Sequence, residues 1–258
     1  MMHLAAWYQS VDPAAAYVQL AAPADPTISV VTPYIQVPAL NQILWVAGGA
    51  ENAVAPRMRL VSPSILTKAR VQISPLSVAT AGPVVPTSPH AVMDLSNSPL
   101  KLVPSERLSA ELYSDPAAAQ IQWCGVCFAD TPAKPERGDI FTTRWTGTTT
   151  LSAGVWVNVP LTCDDNLPRG RYKIVGMKAM SATVKFARLF LPGGTWRPGC
   201  LGTVTTDIVE SYLFRGGVLG SWGEFEDIDN LSADFLGGAG DTTEVVFLDL
   251  IQTRSGPG

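Results

Sequence analysis

Twenty-one prolines and 22 glycines are scattered through 258 residues, and the stretches between them are short and rich in Val, Ile, Thr and Trp. Proline removes a backbone donor and locks φ, and glycine costs a helix interior about 0.5–1 kcal/mol relative to alanine. Punctuation at this density excludes long helices and favours strands bounded by turns. The expected strands are 28–31, 34–37, 42–47, 58–61, 69–73, 108–113 and 121–128, then 141–145, 155–159, 171–178, 182–190 and 244–250. Met58-Arg59-Leu60-Val61 and Ala69-Arg70-Val71-Gln72-Ile73 alternate apolar with polar, the period of a half-buried strand. Strands 108–113 and 121–128 are expected to pair through the turn Ser114-Asp115-Pro116. No segment keeps a 3.6-residue period over four turns; a short helix is expected only near 206–214, where Ile208, Val209, Tyr212 and Leu213 could share a face.

The length suits one large β domain or two of about 100–130 residues. The link Asp130-Thr131-Pro132-Ala133-Lys134-Pro135-Glu136-Arg137-Gly138 is the best boundary, because it is polar and proline-broken. The two sides are similar in length, and each closes on an apolar strand, but no residue-level repeat relates them. Residues 1–26 are Ala/Pro-rich and read as an extended or partly helical arm that reaches a neighbouring subunit. The expected organisation is an arm at 1–26, a β-sandwich at 27–130 and a second at 139–258, built as two tandem jelly rolls or as one roll with long insertions.

Hydrophobic residues make up 47% of the chain and charged residues 16%, against about 25% in an average protein. A sizeable core can therefore form, and the remaining surface is poor in charge, which suggests that neighbouring subunits cover it. Net charge is −4 and the densest basic run is Pro168-Arg169-Gly170-Arg171-Tyr172-Lys173, so strong nucleic-acid binding through phosphate neutralisation is not expected. The stretches 26–50 and 71–93 lack Asp, Glu, Lys and Arg but carry several prolines, which argues against transmembrane helices. No targeting segment is expected, since Met1-Met2-His3 lacks a basic region.

Trp123-Cys124-Gly125-Val126-Cys127 resembles the redox motif of thioredoxins over five residues. There the Cys-x-x-Cys sits at a strand end and opens a helix whose N-terminus lowers the thiol pKa; here Phe128-Ala129-Asp130-Thr131-Pro132 cannot continue one, and a buried strand is the plainer reading. Cys163 and Cys200 are isolated, so neither a zinc site nor a disulfide framework is implied. Gly223-Glu224-Phe225-Glu226-Asp227-Ile228-Asp229 resembles the Glu-x-Asp-x-x-Glu strand of jelly-roll β-glucanases. That resemblance would make Glu224 the nucleophile, Glu226 the helper and Asp229 the acid/base, although two of the three positions carry the other carboxylate. A solvated acidic loop or a cation-binding loop at an interface is the alternative. Trp145, Trp156, Trp196 and Trp222 could stack on sugar rings or simply pack in a core or interface. A catalytic Ser-His pair would need His3 or His90, the only histidines, and His90 lies among prolines. No Gly-x-Ser-x-Gly elbow, phosphate-cradling loop or dinucleotide fingerprint is present, and the glycine-rich 192–199 reads as a turn. No catalytic, cofactor-binding or metal-binding residue is therefore assigned, and no cofactor is expected.

The Ala/Pro-rich arm, low charge, proline-broken strands and Gly/Thr-rich loops are similar to viral, and specifically phage, coat proteins built on jelly rolls. Strands 108–113 and 121–128 are similar to the penultimate and final strands of such a roll. The resemblance implies a non-enzymatic virion protein, assembled in the host cytoplasm, whose partners are copies of itself and other virion structural proteins. The alternative is a carbohydrate-binding or carbohydrate-cleaving β-sandwich using the tryptophans and residues 224–229.

Overall fold

The computed structural model describes residues 1–50, 57–68, 71–73, 77–78, 91–113, 119–203 and 212–255. The chain divides into two compact units, Ala5–Asp130 and Thr131–Gly258 with Met1–Leu4. Both are all-β, apart from one short helix and a 3-10 turn among the described residues.

The first unit is assembled from β1 (Met2–Val11), β2 (Tyr17–Gln19), β3 (Val30–Val31), β4 (Tyr34–Gln36), β5 (Gln42–Ala50), β6 (Arg57–Val61), α1 (Pro63–Lys68), β7 (Val71–Ile73), β8 (Ser77–Val78), β9 (Ala91–Asp94), β10 (Leu100–Lys101), β11 (Arg107–Tyr113) and β12 (Gln120–Ala129). These form two sheets. In the first, β12 lies between β1 and β5, and the far edge of β5 is met in turn by β10, β9 and β8. In the second, β11 is flanked by β6 on one side and by β4 and β2 on the other. Leu108, Ala110 and Leu112 of β11 face inward with Met58 and Leu60 of β6. At Gly48 of β5 an added Cβ would lie 2.3 Å from Met58 Cε and 2.9 Å from the Trp123 carbonyl, so the glycine lets the opposite sheet approach.

Two expectations are corrected here. Residues 1–26 do not form an arm: β1 is a sheet strand beside β12, and Leu4, Trp7 and their neighbours are buried. Its alanines have low strand propensity, so pairing with β12 rather than local preference makes this segment a strand. Strands β11 and β12 do not pair with each other but lie in different sheets. Their burial fits this: in β11 Leu108, Ala110 and Leu112 are buried while Arg107, Glu111 and Tyr113 are exposed or half-buried, with Ser109 buried as well, whereas β12 is buried almost throughout. The turn 114–116 expected to join them lies outside the described residues, as does most of the 206–214 helix; Tyr212–Phe214 is a 3-10 turn.

Between β1 and β2 the chain turns through Ala14 and Ala15, at φ of 46° and 57°. An L-residue in this left-handed region costs roughly 1–2 kcal/mol, partly offset by the greater entropy loss of glycine. Both side chains are exposed, and the Ala14 N–H donates to Asp12 Oδ1 at 2.9 Å. Ala14→Gly and Ala15→Gly should each stabilise the first unit by about 0.5–1 kcal/mol in urea unfolding. A loss of stability in both would contradict the strain.

The second unit contains β13 (Phe141–Gly147), β14 (Val157–Pro160), β15 (Thr162–Cys163), β16 (Gly170–Met180), β17 (Val184–Phe190), β18 (Gly199–Thr203), β19 (Gly223–Glu226), β20 (Ser232–Gly237) and β21 (Glu244–Ser255). The sheet order is β14-β20-β17-β18-β16-β21-β13-β15, with β19 added on β16. Strand β18 pairs antiparallel with β17 and parallel with β16. The sheet curls almost into a barrel, because its two ends, β14 and β15, are joined in the chain by Leu161 alone. Val159 of β14 sits where a Cβ on Gly147 of β13 would be, at 2.2 Å. Phe186, Leu189, Phe235, Leu236 and Leu248 are fully buried. Strands β15, β18, β19 and β20 lie outside the expected set: β15 is two residues long, β18 and β19 are Gly-rich or acidic, and β20 follows the acidic turn without a proline boundary.

Candidate subunit interface

The residues singled out for chemistry are mostly used structurally. Cys124 and Cys127 lie in β12, both buried, and no helix follows them. Burial raises the Cys124 thiol far above its ordinary range and pushes Cys200 up to about 12, so both stay protonated and unreactive at neutral pH. Cys163 is half-buried and also raised, first by burial; none of the four cysteines forms a disulfide. Among the described residues no group of three or more His, Cys, Asp or Glu side chains is placed to hold a metal. No described helix is long and apolar enough to cross a membrane.

Glu224 and Glu226 project from the exposed side of β19, on either side of the buried Phe225. Glu224 is paired with Arg171 at 2.8 Å. Asp229 turns back, its Oδ2 accepting the Glu226 N–H at 2.8 Å. Glu224 is thus committed to an ion pair and Asp229 to a turn hydrogen bond. Trp145 and Trp222 are 5% exposed, too buried to stack on a sugar. Trp156 is covered by the Arg188 guanidinium at 4.1 Å, and Trp196 meets the His3 ring edge-on at 5.7 Å. His3 is buried, its Nδ1 accepting the Arg197 N–H at 3.3 Å. His90 lies outside the described residues.

A buried ion cluster that residue spacing does not reveal lies in the second unit. Asp234 of β20 accepts from Arg188 Nε at 2.9 Å, from Arg197 Nη1 and from Asn158 Nδ2 at 2.9 Å. Arg188 is fully buried and also donates to the Leu4 carbonyl at 3.0 Å.

Two carboxylates on β21 respond to acid in opposite directions. Burial alone would raise Asp249, but hydrogen bonds from Arg215, the Gly216 N–H and the Thr142 hydroxyl outweigh it and hold it below its usual range. Its stabilising contribution is complete above the unfolded value of about 3.9 and is lost as pH falls through the lower folded value. Burial raises Glu244, helped by Asp241 and opposed by the Thr149 N–H, so the folded state gains stability as pH falls through that raised value. Asp249→Asn should therefore destabilise the unit at pH 7, with its deficit shrinking in strong acid. Glu244→Gln should stabilise at pH 7, with its gain fading on acidification. Urea midpoints across pH 2.5–7 test both signs, and parallel curves for wild type and variants would contradict them.

The surface of the first unit is more distinctive. Cross-strand register puts Arg107, Glu111 and Tyr113 of β11 on one face with Arg57 and Arg59 of β6, Tyr17 of β2 and Tyr34 of β4. Guanidinium carbons lie over the rings: Arg59 at 3.6 Å from Tyr17, Arg57 at 4.6 Å from Tyr113 and Arg107 at 5.6 Å from Tyr34. Tyr17 and Tyr113 are neighbours at 5.6 Å, and Arg59 is tied to Glu111 at 2.6 Å. Val31, opposite Tyr34, is 61% exposed. Each cation–π contact contributes about 0.5–1 kcal/mol and holds a long side chain still. The sequence trace of this face is the alternation of Arg57-Met58-Arg59-Leu60 and of residues 107–113, visible as strand pattern but not as a cluster.

Two features of the second unit also face solvent. The turn after β19 presents Ile228 at 79% exposure. A cleft of about 390 Å³ is lined by Phe141, Thr142, Asp165, Asn166, Tyr172 and Gln252 among others.

No protein-family model matches the chain, and no curated protein matches it. Among solved structures there is a distant match to the major capsid protein P2 from Bacteriophage PM2, with 10% identity over 100% of this chain and 99% of that chain, at a TM-score of 0.26.

Proposed function

We propose that the chain is a structural virion protein of a phage that self-assembles into a capsid shell, with a jelly roll in each of its two units. The observation that carries the reading is the Tyr/Arg face of β2, β4, β6 and β11. Tyrosine and arginine are the side chains enriched where proteins meet, and here they are already fixed in place by stacking. The low charge content supports it, since a surface with few charges is suited to being covered. Many modest contacts repeated between copies give a stable shell through multivalency. Light scattering on the purified protein, followed by negative-stain imaging, is the test. Capsomers, rings or shells are the expected result, and a monomer at every salt concentration and pH would overturn the reading.

A second reading, sugar binding, is favoured by the Phe141 cleft. A 37%-exposed ring beside Asp165, Asn166 and Gln252 offers a stacking surface with planar hydrogen-bonding groups. It predicts saturable binding of a β-glucan oligosaccharide that Phe141→Ala abolishes and that substitution of Trp222 affects only through folding. Unchanged NMR spectra on titration would remove this reading.

A further inference from the structure

Ile228 is the most exposed large apolar side chain among the described residues, and it sits on a rigid turn. The Asp229 N–H donates to the Glu226 carbonyl, and the Glu226 N–H donates to Asp229 Oδ2, each at 2.8 Å. A second pair of bonds ties the turn to the start of β16: the Asp227 N–H donates to the Gly170 carbonyl at 3.0 Å, and the Gly170 N–H donates to Asp227 Oδ1 at 2.7 Å. Four hydrogen bonds thus hold an isoleucine out in water between two aspartates, with Glu226 exposed at the base. A preorganised apolar anchor ringed by acceptors loses little entropy on docking.

The complementary surface is on the first unit. Arg57 and Arg107 are exposed and have no carboxylate partner among the described residues, and between them the tyrosines and Val31 form an apolar floor. We propose that the acidic turn 226–229 of one copy docks on the Tyr/Arg face of a second copy, with Ile228 against Val31 and the tyrosine ring edges, and carboxylates of the turn paired with Arg57 and Arg107. The inference rests on the self-assembly reading and deepens it by naming the two surfaces. Charge complementarity selects this occupant. The tyrosine faces are already taken by guanidinium groups, which leaves planar donors pointing outward for carboxylates rather than open rings for nucleobases. The two surfaces are different, so the contact is head-to-tail and repeats from copy to copy, closing into a ring where the rotation allows.

The test uses the full chain and two variants. Ile228→Asp disables the turn and keeps the face; Arg57→Glu with Arg107→Glu disables the face and keeps the turn. Arg57, Arg107 and Ile228 are exposed, and the Ile228 side chain takes no part in the four bonds that hold its turn, so circular dichroism should match wild type, with the melting temperature of the double-arginine variant lowered slightly by loss of its two cation–π contacts. Each variant alone is expected to lose assembly by light scattering. Mixed, they should form a 1:1 dimer of twice the 27.4 kDa chain mass and nothing larger, because one working face meets one working turn and the other ends are blocked. If wild type does not assemble, the self-assembly reading fails with the inference. If wild type assembles and the variants do so equally well, or the mixture stays monomeric, the inference alone fails. Wild-type binding of a fluorescent oligo-dT that is lost in the double-arginine variant, with assembly unchanged, would reassign the face to single-stranded nucleic acid and overturn the docking.

Discussion

Asp234→Ala is expected to cost the second unit about 3–5 kcal/mol, enough to unfold it at moderate temperature. Asp234 is 1% exposed and its carboxylate accepts from two arginines, one of which, Arg188, is fully buried. Burying a guanidinium is tolerable only with its counter-charge and hydrogen bonds in place. Removing the aspartate leaves Arg188 charged, because arginine does not deprotonate in proteins, with its stacking on Trp156 and its bond to the Leu4 carbonyl as poor compensation. Arg197→Ala should cost less, since that side chain is 15% exposed and water can reach the site. Urea unfolding with hydrogen exchange on peptides from β17 and β20 separates the second unit from the first. A loss below about 1 kcal/mol for Asp234→Ala would show that the cluster is not carrying its buried charge through this carboxylate.

Deleting residues 1–11 is expected to abolish folding of the first unit rather than to weaken assembly alone. An arm could be removed without harm to its own subunit, but β1 covers one edge of β12 and places Trp7, which is fully buried. Its loss would expose the unpaired edge of a long apolar strand, a template for aggregation. Trp7→Ala is the milder form. The indole is buried, its Nε1 donates to the Pro33 carbonyl at 2.9 Å, and truncation to alanine in a core costs about 3–5 kcal/mol. The variant should remain soluble with a lowered urea midpoint, whereas the deletion should give insoluble or unfolded protein. A soluble deletion with an unchanged melting temperature would restore residues 1–11 to the status of an arm.

Strand class was legible in residues such as 58–61 and 108–113, where alternation shows directly which side chains share a face. The short apolar runs 42–47 and 121–128, free of proline and closed by turn residues, were enough to place strands there. The first strand was hidden because Leu4-Ala5-Ala6-Trp7 carries neither alternation nor β-branched residues, and only pairing with β12 makes it extended. The acidic run 223–229 could be seen as chemistry or as a solvated loop. Its register against β16 and the inward use of Asp227 and Asp229 as turn clamps decide for structure.

What the sequence determined by itself was local: proline and glycine spacing excluded long helices, and a period of two marked the strands. Tertiary structure alone decided the neighbours. It put β11 and β12 in different sheets, brought Arg188 to Asp234 across 46 residues, and gathered Tyr17, Arg57, Arg107 and Tyr113 onto one face. The physical reason is that alternation records which side of its own strand a residue occupies. Which strand lies alongside is set by long-range pairing and burial, and those depend on the whole chain at once.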